Sequence, residues 1–222
     1  MMSVRPLPFV ILLATAVSTA CSSAPRAAPD GSPRPISQKE LRKVMATATP
    51  KATRADVSFM QGMIPHHAQA VLIAGWAASH GARLDIARLC ERIVVAQRDE
   101  IALMRGWLRD RGEEVPAADA KHMMMTMNGV EHPMLMPGML TDEQLSELDT
   151  SRGSEFDRLF LSAMIAHHNG AVSMVDDLFG AANSAQDEVV FKFASDVYAD
   201  QTTEIDFMQK MLETVPRSIR KP

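Results

Sequence analysis

The alternation of apolar and polar positions along this chain predicts α-helices. Apolar side chains recur at helical spacing from about Thr53 to Gly81 and again from about Ser154 to Gly180, and a second such stretch follows each of these. Thr53 and Ser154 are of the residue types that cap helix N-termini, and the two glycines stand near the expected helix ends. No segment shows the two-residue alternation rich in β-branched residues that is typical of strands. The pattern therefore predicts an all-α protein.

A shorter helix is predicted before each long one. Ser37 and Glu40, and likewise Thr141 and Gln144, stand three residues apart in the order of a capping box. In that motif each of the two side chains accepts a hydrogen bond from the other residue's backbone N–H, which starts a helix.

The two halves of the chain repeat each other. Asp56–Ala70 aligns with Asp157–Ala171 at an offset of 101 residues, and Gln97–Met104 aligns with Gln201–Met208 at an offset of 104. Repetition of so many ordered positions indicates an internal duplication. Two helical hairpins related by a pseudo-twofold axis predict a ferritin-like four-helix bundle.

Both repeats carry two adjacent histidines on the apolar face of the first long helix. With about 100° per residue, His66 and His67 lie within about 60° of Met63 on a helical wheel. The second repeat has the same arrangement, and its inward-facing side chains are Met164, His167 and His168. These histidines are therefore expected to point into the core.

The second long helix of each half places a carboxylate opposite these histidines. Glu100 and Glu204 each stand in the middle of an apolar stripe, and Asp200 adds a carboxylate in the second half. A carboxylate in a core needs a partner or a cation. Hydrogen bonds to the histidines, fixing the register of the bundle, are one explanation. Because the pattern occurs twice, we favour metal ligation, and the candidate ligands are Met63, His66, His67, Glu100, Met104, Met164, His167, His168, Glu204 and Met208.

The segment between the halves is rich in methionine. Residues 121–139 contain prolines and glycines that are expected to interrupt regular structure. The methionines are either adaptable packing residues or soft ligands for Cu(I) or Ag(I), and the two roles are compatible. The candidate capture residues are His122, Met123, Met124, Met125, Met127, His132, Met134, Met136 and Met139.

Charge and cysteine content narrow the class of protein. The net charge of −4 offers no basic surface for nucleic acid. The chain has two cysteines, and lipidation of Cys21 would leave Cys90 without a partner for a disulfide. Cys90 lies at the edge of an apolar stripe, which favours a small buried hydrophobic side chain over a thiolate ligand.

The N-terminus has the pattern of an exported lipoprotein. Residues 1–20 combine Arg5, an apolar run and small residues before Cys21, as in a bacterial lipoprotein signal peptide, although Ser18 stands where such signals usually carry Leu or Val. The alternative is an ordinary cleaved signal peptide. The predicted organisation is a signal peptide at 1–20, a flexible tether at 21–36 and a bundle at 37–216, with halves 37–115 and 141–216 and a connector at 116–140.

The repeated Asp-x-x-Phe-hydrophobic-x-x-Met-Ile-x-His-His-x-x-Ala block resembles the DUF305 family of exported, ferritin-like helical proteins. The resemblance covers about residues 50–215. It implies that the family-type positions here are Met63, His66, His67, Met164, His167 and His168. Some members of the family are implicated in copper binding in the periplasm and in copper tolerance.

Three functions remain open at this point. The first is a membrane-anchored extracytoplasmic protein that binds or sequesters copper, with no catalytic step required. The second is a ferritin-like dimetal redox enzyme using iron or manganese, although typical di-iron bundles contain more core carboxylates and a Glu-x-x-His motif. The third is a structural or partner-binding lipoprotein with buried His–Glu networks. The sequence favours the first.

Overall fold

The computed structural model describes residues 36–40, 52–127 and 129–216, with the backbone alone for 125–127. The predicted signal peptide, the lipidation site Cys21 and the tether up to residue 35 lie outside the described residues. Contacts divide the chain into two units, residues 1–45 and 46–222.

In the first unit, the described residues contain the predicted capping box. The Glu40 backbone N–H donates to Ser37 Oγ at 3.2 Å, and the Ser37 backbone N–H donates to Glu40 Oε2 at 3.0 Å. These reciprocal bonds satisfy backbone donors that a helix start leaves free.

The second unit is a bundle of helices built from two hairpins, as the duplication predicts. The α-helices are α1 (Arg54–Gly75), α2 (Leu84–Asp110), α3 (Asp142–Thr150), α4 (Ser154–Gly180) and α5 (Glu188–Thr214). Helix α1 packs mainly on α2, and α4 packs mainly on α5. The two hairpins meet along α1 and α4, the helices that carry the histidine pairs. The all-α fold class is therefore confirmed.

Two of the three helix starts predicted in this unit have the expected chemistry, and the third does not. Thr53 caps α1 in a capping box with Asp56, and Thr141 caps α3 in one with Gln144. The prediction that Ser154 caps α4 is wrong, because the N-cap is Gly153 and no side chain caps this helix. The Gly153 N–H donates to the His80 carbonyl at 2.8 Å. Gly153 itself has φ of 57°, a backbone conformation that favours glycine.

The expectation that the connector contains no regular element is also wrong. Strands β1 (Met123–Met127) and β2 (Val130–Met134) form an antiparallel hairpin in which Met123 pairs with Met134. Gly129 has φ of 78°, as a tight hairpin turn requires. Pro133 is accommodated because a strand of a two-stranded hairpin has a free edge.

Apolar side chains from both halves interlock in two clusters. One cluster includes Met63 and Met104 together with Phe193 from the second half, and the other includes Met164 and Met208 together with Ile93 from the first half.

Backbone hydrogen bonds to buried aspartates also join the halves reciprocally. Asp56 Oδ1 accepts from the Ala185 backbone N–H at 2.7 Å, and Asp157 Oδ1 accepts from the Arg83 backbone N–H at 3.2 Å. In each case the first long helix of one half holds the loop between the long helices of the other. The duplicated aspartates thus fix the relation between the hairpins.

The end of the connector lies directly on α4, and two glycines permit this. A Cβ at Gly170 would stand 1.9 Å from the Pro137 carbonyl oxygen, and a Cβ at Gly138 would stand 2.4 Å from the Ala166 carbonyl oxygen. Gln69 of α1 holds the end of the connector at Leu140, since its side chain donates to the Leu140 carbonyl and accepts from the Leu140 N–H. The connector is thereby fixed against both inner helices.

Among the described residues, no helix combines the length and apolar character needed to cross a bilayer.

Substitution of Gly170 tests this docking. We expect Gly170→Ala to lower the free energy of unfolding by about 1–3 kcal/mol, because the added methyl group cannot share space with the Pro137 backbone. Gly106→Ala is the matched control, since a Cβ there meets nothing within 4 Å and alanine favours a helix. Urea unfolding monitored by circular dichroism measures both, and equal effects of the two substitutions would contradict the close approach.

Candidate metal centre

The four predicted histidines come together in one cluster between α1 and α4. His66, His67, His167 and His168 are each 0% exposed. The centroids of the His66 and His167 rings lie 3.7 Å apart, with the ring planes inclined by 39°. The adjacent rings in each pair lie further apart, at 6.1 Å and 6.3 Å. The two histidine pairs, which are related by the pseudo-twofold axis, therefore contact each other through the first histidine of each pair.

The two glutamates contact the second histidine of each pair. Glu204 Oε2 accepts a hydrogen bond from His168 Nε2 at 2.7 Å. Glu100 Oε2 lies 2.8 Å from His67 Nε2, but this ring is not aligned for a hydrogen bond. Each glutamate thus faces a histidine of its own half, as the helical wheel predicts.

The glutamates are less buried than their place in an apolar stripe indicates. The Glu100 and Glu204 side chains are 23% and 27% exposed, because α2 and α5 approach each other far less closely than α1 and α4 do. Asp200 lies near both, and its pKa is raised by its own partial burial and by the charges of Glu100, Asp196 and Glu204. Carboxylates therefore border the histidine cluster on its solvent side.

Several imidazole nitrogens have no hydrogen-bond partner in the described part of the chain. Both nitrogens of His67 and of His167 are unpartnered, and so is Nδ1 of His66 and of His168. An unsatisfied polar group in a core costs about 1–3 kcal/mol. A cluster of such groups is a common property of sites that hold a ligand.

Burial keeps the central histidines neutral. Desolvation, and then the nearby His67, lower the pKa of His66 to about 3. Desolvation, and then His66, lower the pKa of His167 well below its usual value. Neutral imidazole is the form that binds metal ions, so no proton has to be displaced at neutral pH.

Hydrogen bonds fix which nitrogen carries the lone pair in two of the rings. His66 Nε2 lies 3.0 Å from the Pro137 carbonyl oxygen, which can only accept, so Nε2 is protonated and Nδ1 has the lone pair. The Glu204 carboxylate has the same effect on His168. A carbonyl or carboxylate on the outer nitrogen is the usual support of a metal-binding histidine.

The four predicted methionine ligands of the core are divided between the two apolar clusters. Met63, Met104, Met164 and Met208 are all 0% exposed. Met63 and Met104 belong to one apolar cluster, and Met164 and Met208 belong to the other. Each half thus contributes its own pair of thioethers to one of the two apolar clusters of the core.

No group of three or more His, Cys, Asp or Glu side chains within the described ranges has the arrangement of a metal site. This excludes, for the structure as it stands, a preformed centre made of these four residue types alone. It leaves open a site of low coordination number that combines imidazole with thioether sulfur.

The predicted capture residues are distributed over the hairpin and the following turn. Met124, His132 and Met134 are exposed, whereas His122, Met123 and Met136 are half-buried. The Met139 side chain is buried, and its sulfur accepts the Met136 backbone N–H at 3.3 Å. This burial and this hydrogen bond show that Met139 contributes to packing of the turn. The side chains of Met125 and Met127 lie outside the described residues.

Cys90 is a buried hydrophobic side chain, as predicted. It is 2% exposed, and burial, followed by the charge of Asp157, raises the pKa of its thiol to about 12. A thiol with this pKa is protonated, which disfavours a role as a thiolate ligand.

Several residues around the site were not among the candidate ligands taken from the sequence. Gln97 and Gln201 are buried at equivalent positions, and Oε1 of each has no partner in the described structure. Their repetition three residues before each glutamate was the available signal. Gly138 and Gly170, which admit the connector, were also missed, although a glycine inside a predicted helix indicates close packing.

Comparisons with known proteins agree with the fold. The model of the family described as a domain of unknown function, DUF305, matches residues 56–212. A DUF305 crystal structure from Streptomyces coelicolor, whose name describes the protein as secreted, is 29% identical, with a TM-score of 0.60, over 72% of this chain and 92% of the other. A DUF305 fragment from Deinococcus radiodurans is 27% identical, with a TM-score of 0.61, over 74% of this chain and 99% of the other.

A third match has been solved with bound metal ions. CopM in its Cu(I)-bound form is 26% identical, with a TM-score of 0.53, over 71% of this chain and 95% of the other. CopM structures with Cu(II) and with Ag are also similar to this chain. No curated protein matches the sequence.

The depressed pKa values predict acid sensitivity of the metal-free protein. His66, with a pKa of about 3 in the folded state, binds a proton near pH 6.5 once unfolded. The contribution of His66 to the free energy of unfolding is therefore fully present above about pH 6.5. It decreases by about 1.4 kcal/mol per pH unit as the pH falls from there toward 3. Urea unfolding at several pH values measures this slope.

His66→Gln is expected to make that slope shallower. His132→Gln, on the exposed hairpin, is the control and is expected to leave it unchanged. An unchanged slope in His66→Gln would show that His66 is not buried in its neutral form.

Proposed function

The chain belongs to the DUF305 family, and we propose that it binds copper ions outside the cytoplasm, attached to a membrane through a lipid on Cys21. The observation that carries this proposal is the buried contact of His66 with His167, whose rings retain unpartnered nitrogens. The proposed role is binding or sequestration, which requires no reaction.

The chemistry of the donors favours copper, and Cu(I) in particular. Neutral imidazoles bind copper strongly, and the thioethers of Met63 and Met164 are soft ligands that suit Cu(I). Structural zinc sites require four ligands in tetrahedral geometry. No group of three His, Cys, Asp or Glu side chains is assembled in the described part of the chain, which disfavours zinc.

The CopM structures support the choice of ion. CopM has been solved with Cu(I), with Cu(II) and with Ag, and this chain shares its fold over most of the CopM length. Silver is a monovalent, soft ion like Cu(I), so the same ligand chemistry serves both.

The sequence and one relative support the proposed location. The predicted lipoprotein signal of residues 1–20 and the tether of 21–36 would place the bundle outside the cytoplasm. The secreted DUF305 relative is consistent with an exported protein. In such a compartment, no cytosolic thiol pool competes for copper.

The dimetal redox alternative has less support. Ferritin-like centres need several carboxylates that reach two ions from the bundle core. Glu100 and Glu204 are partly exposed and each contacts one histidine. These carboxylates border the histidines on the solvent side and do not reach into the bundle core as the ligands of such centres do.

Metal competition tests the proposal. Residues 22–222 are titrated with Cu(I), Cu(II), Fe(II) and Zn(II) against chelators of known affinity. We expect Cu(I) to bind most tightly, and the His66→Leu/His167→Leu variant to lose Cu(I) affinity by about 100-fold or more, since it lacks both central imidazoles.

His132→Gln, on the exposed hairpin, is the control and is expected to retain the affinity of the inner site. Unchanged Cu(I) affinity in a folded double variant would refute the proposal and favour a structural role for the histidines. Tighter binding of Fe(II) with turnover of oxygen or peroxide would favour the enzyme instead.

A further inference from the structure

Three methionine side chains converge over Gly62, a buried glycine of α1. The position that a Cβ at Gly62 would take lies 2.8 Å from Met136 Sδ, 3.3 Å from Met123 Sδ and 3.5 Å from Met174 Cε. These methionines come from three different parts of the chain: the hairpin, the turn after it and α4. Tertiary structure alone brings them together.

The methionines border a cavity that opens to solvent. Its volume is about 310 Å³, and Met123, Met136 and Met174 line it together with Phe59 and Asp177. Met174 is 8% exposed, and Met123 and Met136 are half-buried. An ion of modest size can therefore reach the sulfur atoms without opening the bundle.

Comparison of the two halves shows that the arrangement is specific to one of them. The equivalent of Gly62 is Ala163, and the equivalent of Met174 is Ile73. Glycine is an unfavourable residue inside a helix, so its presence at 62 needs a reason. The methionine ends that occupy the space above it provide one.

We propose that Met123, Met136 and Met174 form a thioether site for one monovalent soft ion, Cu(I) or Ag(I), at the junction of the hairpin and the bundle. The inference rests on the proposed function only in the choice of ion, since none of the four buried histidines takes part.

The ligand chemistry determines which ions this site accepts. Thioethers carry no charge and no titratable proton, so they hold Cu(I) or Ag(I) but discriminate against Cu(II) and Zn(II). Asp177 is exposed at the cavity and contributes a negative charge that favours a cation. Methionine has a flexible side chain, so the three sulfurs can adjust their positions around the ion.

The site also adjoins the segment that covers the histidines. Met136 immediately precedes Pro137, whose carbonyl accepts the His66 hydrogen bond. An ion held by Met136 would thus lie one residue along the chain from Pro137, which contacts the buried histidine cluster.

Counting bound silver tests the site. Residues 22–222 are titrated with Ag(I), the bound equivalents are counted by native mass spectrometry, and X-ray absorption at the silver edge separates sulfur from nitrogen neighbours. Met174→Leu preserves side-chain volume but removes a sulfur. We expect it, and Met136→Leu, to lose one Ag(I) equivalent, or to weaken it by at least about tenfold, without a change in Cu(II) binding.

Gly62→Ala should have the same effect, because its methyl group would occupy the space beside Sδ of Met136 and Met123 and Cε of Met174. Two matched controls are expected to keep the full count. Met124→Leu alters an exposed methionine on the other face of the hairpin, and Gly106→Ala adds a methyl group where nothing lies within 4 Å. Equal unfolding midpoints establish that each variant is folded.

The outcomes separate this site from the inner one. If the histidine cluster binds no metal, the unmodified protein still holds Ag(I) with sulfur neighbours only, and Met174→Leu loses it. If the methionine site is wrong, Met174→Leu keeps the silver count and the neighbour shell of the unmodified protein. That second result would overturn the proposal and leave the methionines as packing residues.

Discussion

The contact of α1 with α4 around His66 and His167 is the constraint on which the rest of the structure depends. It removes four imidazoles from water, and desolvation keeps the two central rings neutral. Such a core is stable only if its polar atoms are satisfied. The Pro137 carbonyl and the partly exposed Glu204 carboxylate each satisfy one ring nitrogen and leave the others without partners. The unsatisfied nitrogens are what make a metal-binding role more reasonable than a structural one.

The connector follows from the same constraint. To reach His66, the Pro137 carbonyl must come closer to α4 than any side chain at 170 would allow, and Gly170 permits this. Gln69 then holds Leu140, so that the turn is fixed on both sides. Once the turn is in place, the preceding hairpin lies across α1 near Gly62, where its methionines meet Met174. A segment that is separate from the repeat in sequence thus becomes a cover for the site that the repeat creates.

Much of this arrangement could be predicted from the sequence, because helical periodicity and capping act over a few residues. The inward histidines, the N-cap Thr53 and the capping box at Thr141 are local signals, and the duplication is visible as a repeat in the sequence. The hairpin was missed because consecutive methionines at 123–125 conceal a two-residue period, although Asn128-Gly129 has the composition of a hairpin turn. The close contact of His66 with His167 and the exposure of Glu100 depend on how whole helices pack, which a wheel for a single helix cannot show.

Anomalous diffraction from crystals grown with Cu(I) would test the central claim most directly. The proposed function predicts an anomalous peak at the copper edge within about 2.5 Å of an unpartnered imidazole nitrogen of His66 or His167. It also predicts that this peak is absent from crystals of the His66→Leu/His167→Leu variant. Copper peaks confined to the surface or to the methionines, with the two rings still in contact and no metal beside them, would contradict the claim.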